Sequence, residues 1–140
     1  MRNGLFVDSD RSQYWYLNGK LHRADGPAVI DANGSQEWWL NGKRHKESGP
    51  AFIGADGSQT WRLNGKLHRA DGPAVIDANG TLSWWVNGKR HRLDGPAVIY
   101  ADGSQWRCLD GEYYKFRDYV NKLFPKDSPE RTVFLLKWSR

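Results

Sequence analysis

The sequence predicts an all-β repeat array: an elongated antiparallel β-meander of 23-residue hairpin repeats, closed by a small helical cap at the C-terminal end. Three observations carry this. The stretch Leu17-Asn18-Gly19-Lys20-Leu21-His22-Arg23-Ala24-Asp25-Gly26-Pro27-Ala28 returns in outline from Leu40, from Leu63 and from Val86, each time 23 residues on. Asn-Gly or Asp-Gly pairs stand at two places in the copies, between apolar-rich runs, and these are the strongest short hairpin signals. After Asp110-Gly111 the pattern stops and apolar residues take up helical spacing. A period of this length marks units that cannot bury their own apolar face and must stack on copies of themselves.

Residues 5–17 align without gaps on residues 28–40, so the array opens on a half repeat. Its turn carries Asp10-Arg11 where later copies have Asn33-Gly34, Asp56-Gly57, Asn79-Gly80 and Asp102-Gly103, and the Arg11 version is expected to be looser. Four repeats follow, each with a second turn at Asn18-Gly19, Asn41-Gly42, Asn64-Gly65 or Asn87-Gly88. The longer strand of each unit runs through Lys-x-His-Arg and bends at Gly26-Pro27 and its copies, since proline cannot donate to a ladder; it then continues as Ala-Val-Ile. With two-residue type I′ turns throughout, Val29 falls opposite Trp38, and so does His45. One face then carries Val29, Trp38, Leu40 and His45 and is expected to be buried; the other carries Ile30, Trp39 and Arg44 and is expected to be half-exposed.

The array should occupy residues 1–111, with about ten strands spanning about 45 Å at a strand spacing of about 4.8 Å. Residues 112–140 form the cap. Phe116, Tyr119, Val120, Leu123 and Phe124 predict a helix over residues 115–124 that ends before Pro125. Asp127-Ser128-Pro129-Glu130 reads as a helix start, while Thr132-Val133-Phe134-Leu135-Leu136 reads equally well as a strand, and residues 129–138 stay open between the two.

Hydrophobic residues make up 39% of the 140, but eight are Trp, and large rings bury about 150–250 Å² each, enough to hold a thin sheet together. A single cysteine, Cys108, excludes an internal disulfide and a thiolate zinc cluster, and a reducing compartment is the default. The N-terminal residues hold no signal-peptide run and no stretch approaches membrane-spanning length, so a soluble, cytoplasmic protein without membrane insertion is expected. The formal charge of +5 is spread along the chain: residues 112–140 hold seven basic and four acidic side chains, residues 14–111 twelve and ten. That balance is far from a dedicated nucleic-acid arm.

Written as W-x-[LV]-N-G-K-x-H-[RK]-x-x-G-P-A-x-I-x-A-[ND]-G, residues 5–111 resemble the MORN repeat. The shared features are the period, the Trp before an N-G-K turn, the His two residues after that Lys and the closing D-G. Two features depart from it: H-R-x-D-G-P-A replaces the common H-G-x-G, and the Y-x-G before the Trp is absent. The H-R-x-D-G-P-A version is similar to one met in bacteriophage, giant-virus and bacterial proteins. MORN-like arrays serve as scaffolds or binding surfaces, some with membrane or lipid contact, and the departures weigh against carrying the lipid contact over. The resemblance implies a non-enzymatic scaffold engaging a protein partner; for a phage or viral protein, that partner is a host protein, the place the host cytoplasm and the outcome inhibition.

Taken by themselves, His22, His45, His68 and His91 invite a metal or catalytic reading. Successive copies lie two strands apart, about 9–10 Å, and zinc needs its ligands about 2.0–2.1 Å from the metal, so they read as stacked structural histidines. Cys108 reads as a buried thiol. No nucleophile, acid/base pair or metal cluster converges, so neither catalysis nor a cofactor is expected. Trp39, Arg44, Arg62, Trp85, Arg90 and Trp106 have the composition of a protein-binding hot spot, and are the candidate partner surface. The alternative is nucleic acid or a nucleotide signal, bound on a ladder of Lys20, Lys43, Lys66 and Lys89 and a second of Arg23, Lys46, Arg69 and Arg92. Asp25, Asp71 and Asp94 stand ready to neutralise the second ladder, and the oligomeric state is left open by the sequence.

Overall fold

The computed structural model describes residues 1–139. Neighbours in its main sheet are antiparallel and follow one another along the chain, as a meander requires. That sheet holds twelve strands, from Gly4–Val7 and Gln13–Leu17, through the short pairs Val29–Ile30 with Gln36–Glu37 and their successors, to Gln105–Leu109 and Glu112–Tyr114. Beside it stands a row of short hairpins at Trp39–Leu40/Lys43–Arg44, Arg62–Leu63/Lys66–Leu67 and Trp85–Val86/Lys89–Arg90. The chain exposes 8764 Å², where a compact protein of 16.1 kDa exposes about 7,400 Å². Among the described residues no helix is long and apolar enough to cross a membrane.

The two kinds of turn differ, and the difference moves the register. At Asn41-Gly42 both residues take positive φ, 51° and 79°, the type I′ turn expected. At Asn33-Gly34 only Gly34 does, at 94°. There the Gly34 N–H donates to Asp31 O and the Asp31 N–H to Ser35 O, each at 2.9 Å, which closes a three-residue loop with a glycine bulge. The extra residue slips the pairing by one, so Val29 faces Glu37, not Trp38 as the two-residue turn predicted. The Asp10-Arg11 turn is the same loop, not a looser one. Arg11 takes φ 74°, and the equivalent bonds, Arg11 N–H to Asp8 O and Asp8 N–H to Ser12 O, are both 3.1 Å.

The slip also corrects the face assignment. Cross-strand partners share a face, so Val29, Phe52 and Glu37 lie together. Glu37 accepts from Trp39 Nε1 at 3.3 Å and pairs with Arg44, whose guanidinium lies over Trp39 and Phe52. Val29 therefore belongs with Trp39 and Arg44, while Trp38 stands apart with His45. At Trp38 the strand breaks: its N–H donates to Ala51 O at 2.7 Å in the main sheet, and its C=O accepts from His45 N–H at 3.0 Å in the side hairpin. The two rows meet at this corner, where Ala28, Ala51, Ala74 and Ala97 are all fully buried.

The C-terminal end holds helix α1, Phe116–Leu123, and helix α2, Pro129–Trp138, so the segment left open between helix and strand is helical. Ser128 caps α2 by accepting Arg131 N–H at 3.1 Å, and Pro129 has no N–H to leave unpaired there. Leu109, Tyr119, Val120 and Phe134 form the core between the helices and the last strands. Fully buried Tyr119 bonds through its hydroxyl to Arg92 O and to Gly95 O and N–H, and Trp138 Nε1 donates to Asp94 O at 3.0 Å. Both helices are thus moored on the final Gly-Pro loop.

Candidate binding face

A row of repeated side-chain arrangements occupies the Trp38 side. Each Trp carries a cation eight residues on: Arg23 over Trp15, Lys46 over Trp38, Arg69 over Trp61 and Arg92 over Trp84, at 3.8–3.9 Å from the ring centroid. Each Arg also donates Nε to the Asp two residues on and an Nη to the Pro carbonyl four residues on; for Arg69 both distances are 3.1 Å. Stacking and these two hydrogen bonds to separate acceptors fix the guanidinium and with it the Gly-Pro loop. The ladder of Arg23, Arg69 and Arg92 is therefore part of the scaffold. The carboxylates are its outward surface: the Asp71 side chain is 87% exposed, Arg69 24%.

The histidines link successive units. The backbone N–H groups of Asn41, Asn64, Asn87 and Asp110 donate to Nδ1 of His22, His45, His68 and His91, at 2.9–3.1 Å. Nδ1 is the acceptor in each, which leaves Nε2 as the protonated nitrogen of the neutral ring. Asn3 does the same for the first unit, its Oδ1 accepting Asn18 N–H at 2.7 Å.

Between consecutive Gly-Pro loops the surface sinks into three grooves of one kind. The first, about 590 Å³, lies between the Arg23–Gly26 and Lys46–Ser48 loops with Trp38 and Leu40 as its floor. The second, about 720 Å³, has Trp61 and Leu63 below; the third, about 680 Å³, has Trp84 and Val86. Each is one repeat from the next, so the Trp face expected to be buried is instead half-open, with its rings flooring the grooves. A further hollow of about 440 Å³ lies in the cap, beside Phe124, Val133 and Trp138.

The expected partner residues divide. Trp39 and Arg44 are cross-strand partners, as are Trp85 and Arg90. Trp39, Arg44, Arg62 and Trp85 are half-buried: Trp85 Nε1 donates to Ser83 Oγ at 2.8 Å, and Arg62 donates to Gly65 O at 2.8 Å while its Nε finds no partner. Burial and the charge of Arg44 draw the Arg62 pKa down. Arg90 is exposed, and Trp106 is 45% exposed with its ring 4.9 Å from that of Tyr113. Lys20, Lys43, Lys66 and Lys89 are all exposed, the stems of the first and third lying against Gly42 and Gly88 of the next turn. Cys108 is buried, and burial pushes its thiol pKa up.

No protein-family model matches the chain, and no curated protein matches it either.

The sequence reading missed three elements of this face. The cation over each Trp was visible as an invariant eight-residue offset inside the repeat. The buried Ala was visible as an apolar position, directly after Gly-Pro, that never varies among the four copies. Ser12, Ser35 and Thr81, whose hydroxyls accept the N–H of Ala32, Ala55 and Ala101 in the next unit, were visible as a Ser/Thr always following the bulged turn.

Proposed function

We propose that the chain is a non-enzymatic scaffold that engages a protein partner, and that the partner sits on the groove side, over Trp38, Trp61 and Trp84. The observation that supports it is the threefold recurrence of one Trp-floored groove, with the arginines beside the floors held by their Asp and Pro partners. Aromatic floors with a polar rim are what protein-recognition surfaces favour. The resemblance to MORN-like repeats of phage and viral type adds that the partner is a host protein in the host cytoplasm, inhibited on binding.

Nucleic acid is the weaker reading. Of the two ladders, Arg23, Arg69 and Arg92 are neutralised by their own carboxylates, and Lys20, Lys43, Lys66 and Lys89 remain with Lys46, which has Ser48 where the others have Asp. The test is affinity capture from nuclease-treated lysate at low and moderate salt. The scaffold reading expects a protein retained at both. Retention that needs intact nucleic acid and collapses with salt supports the other reading.

A further inference from the structure

The three grooves share a spacing as well as a lining. Copies lie two strands apart, which is about 9.4–9.8 Å at about 4.7–4.9 Å per strand. A chain in the polyproline II conformation rises about 3.1 Å per residue with three residues per turn, so every third side chain falls on one side at about 9.3 Å intervals. The groove floors are side chains: Trp61 N–H and C=O are both taken within the fold, by Ala74 O and His68 N–H. An occupant gains no backbone ladder there, which suits a chain whose conformation needs none. The lining charges balance, but their exposure favours a basic one: the cations are the Asp-bound arginines and half-buried Lys46, stacked on Trp38. Asp25, Asp71 and Asp94 rim the grooves with side chains 82–87% exposed, while the arginines they neutralise are 13–25% exposed, and Glu47 adds a further exposed carboxylate.

We propose that the row of grooves over Trp38, Trp61 and Trp84 binds an extended, basic, proline-rich segment of the partner in the polyproline II conformation, one apolar residue per groove at every third position. This rests on the reading of the chain as a protein-binding scaffold and names the chemistry of what it holds.

Ala24 and Ala70 are exposed and stand at the groove mouths, Ala70 between two of them. Ala70→Arg and Ala24→Arg fill and charge the site without touching a buried contact, and an unchanged melting temperature verifies the fold. The probe is a fluorescent twelve-residue peptide of four Pro-Pro-Arg units; the comparisons are four Pro-Pro-Glu units and cellohexaose, a stiff linear sugar. The expected result is saturable binding of the Arg peptide, about tenfold weaker binding to either variant, and none of the Glu peptide. Three results overturn the proposal: equal binding of the two peptides, Arg-peptide binding unchanged by both variants, or binding of cellohexaose in place of the peptide. Lysate capture separates the two readings. If the variants lose the captured protein but the wild type ignores the Arg peptide, the scaffold reading stands and the polyproline inference fails. If capture survives both substitutions, the placement of the partner on this side fails.

Discussion

His45 Nδ1 accepts the backbone N–H of Asn64 at 2.9 Å, nineteen residues along the chain, and so ties one unit to the next. The same bond recurs at His22, His68 and His91. In the neutral ring all four should therefore carry their proton on Nε2, which the ring 15N shifts read directly. Replacing His68 by Phe keeps the ring and removes the acceptor, and should cost about 1 kcal/mol in chemical denaturation.

Arg11 occupies a bulge position where the four later turns have glycine, at φ 74°. A left-handed conformation costs a side-chain-bearing residue about 1–2 kcal/mol, part of which glycine returns as backbone entropy in the unfolded chain. Arg11→Gly should raise stability by about 0.5–1 kcal/mol, seen as a higher denaturant midpoint with unchanged slope.

Gly95 and Gly72 hold equivalent places but have different neighbours. A Cβ at Gly72 would meet the Arg69 side chain at 2.9 Å, whereas one at Gly95 would also meet Trp138 at 2.8 Å. Gly95→Ala should push Trp138 away from the Asp94 carbonyl and loosen α2, costing about 1–3 kcal/mol, and should shift Trp fluorescence to the red. Gly72→Ala should cost less and leave the cap in place.

Burial pushes the Tyr119 hydroxyl up to about 12 from its ordinary 10. The folded state thus holds this proton more tightly than the unfolded chain. Its contribution is fully present below pH 10 and is lost as pH rises toward 12, on the order of 1–2 kcal/mol after allowance for screening. Urea midpoints of the wild type and Tyr119→Phe at pH 8–12 should converge as the pH rises. A difference that stays constant would mean the hydroxyl does not stay protonated in the fold.

Much of the meander was legible because Asn-Gly, Gly-Pro and the 23-residue spacing each act locally. The Asn41-Gly42 turn and α1 needed nothing beyond neighbouring residues. Register across Asn33-Gly34 was not legible in the same way: Asn-Gly fits both a type I′ turn and the last two places of a bulged loop, and one residue exchanges Trp38 for Glu37 opposite Val29. The candidate face followed that error. Trp39 looked free because Trp38 looked buried, and the stacking of Lys46 on Trp38 depends on a loop whose path only the folded chain defines. Residues 129–138 stayed open because Thr132–Leu136 suits a strand by composition; the Ser128 cap and the packing of Phe134 on Phe124 and Tyr119 make it a helix.

We place the partner on the Trp38, Trp61 and Trp84 side. Capture of the partner by two surface variants tests this placement most directly: Ala24→Arg/Ala70→Arg on the groove side, and Arg90→Ser/Trp106→Ser away from it, both verified as folded by thermal melts. The first is expected to lose the partner and the second to keep it. Retention by the first with loss by the second would contradict it and return the partner surface to Arg90 and Trp106.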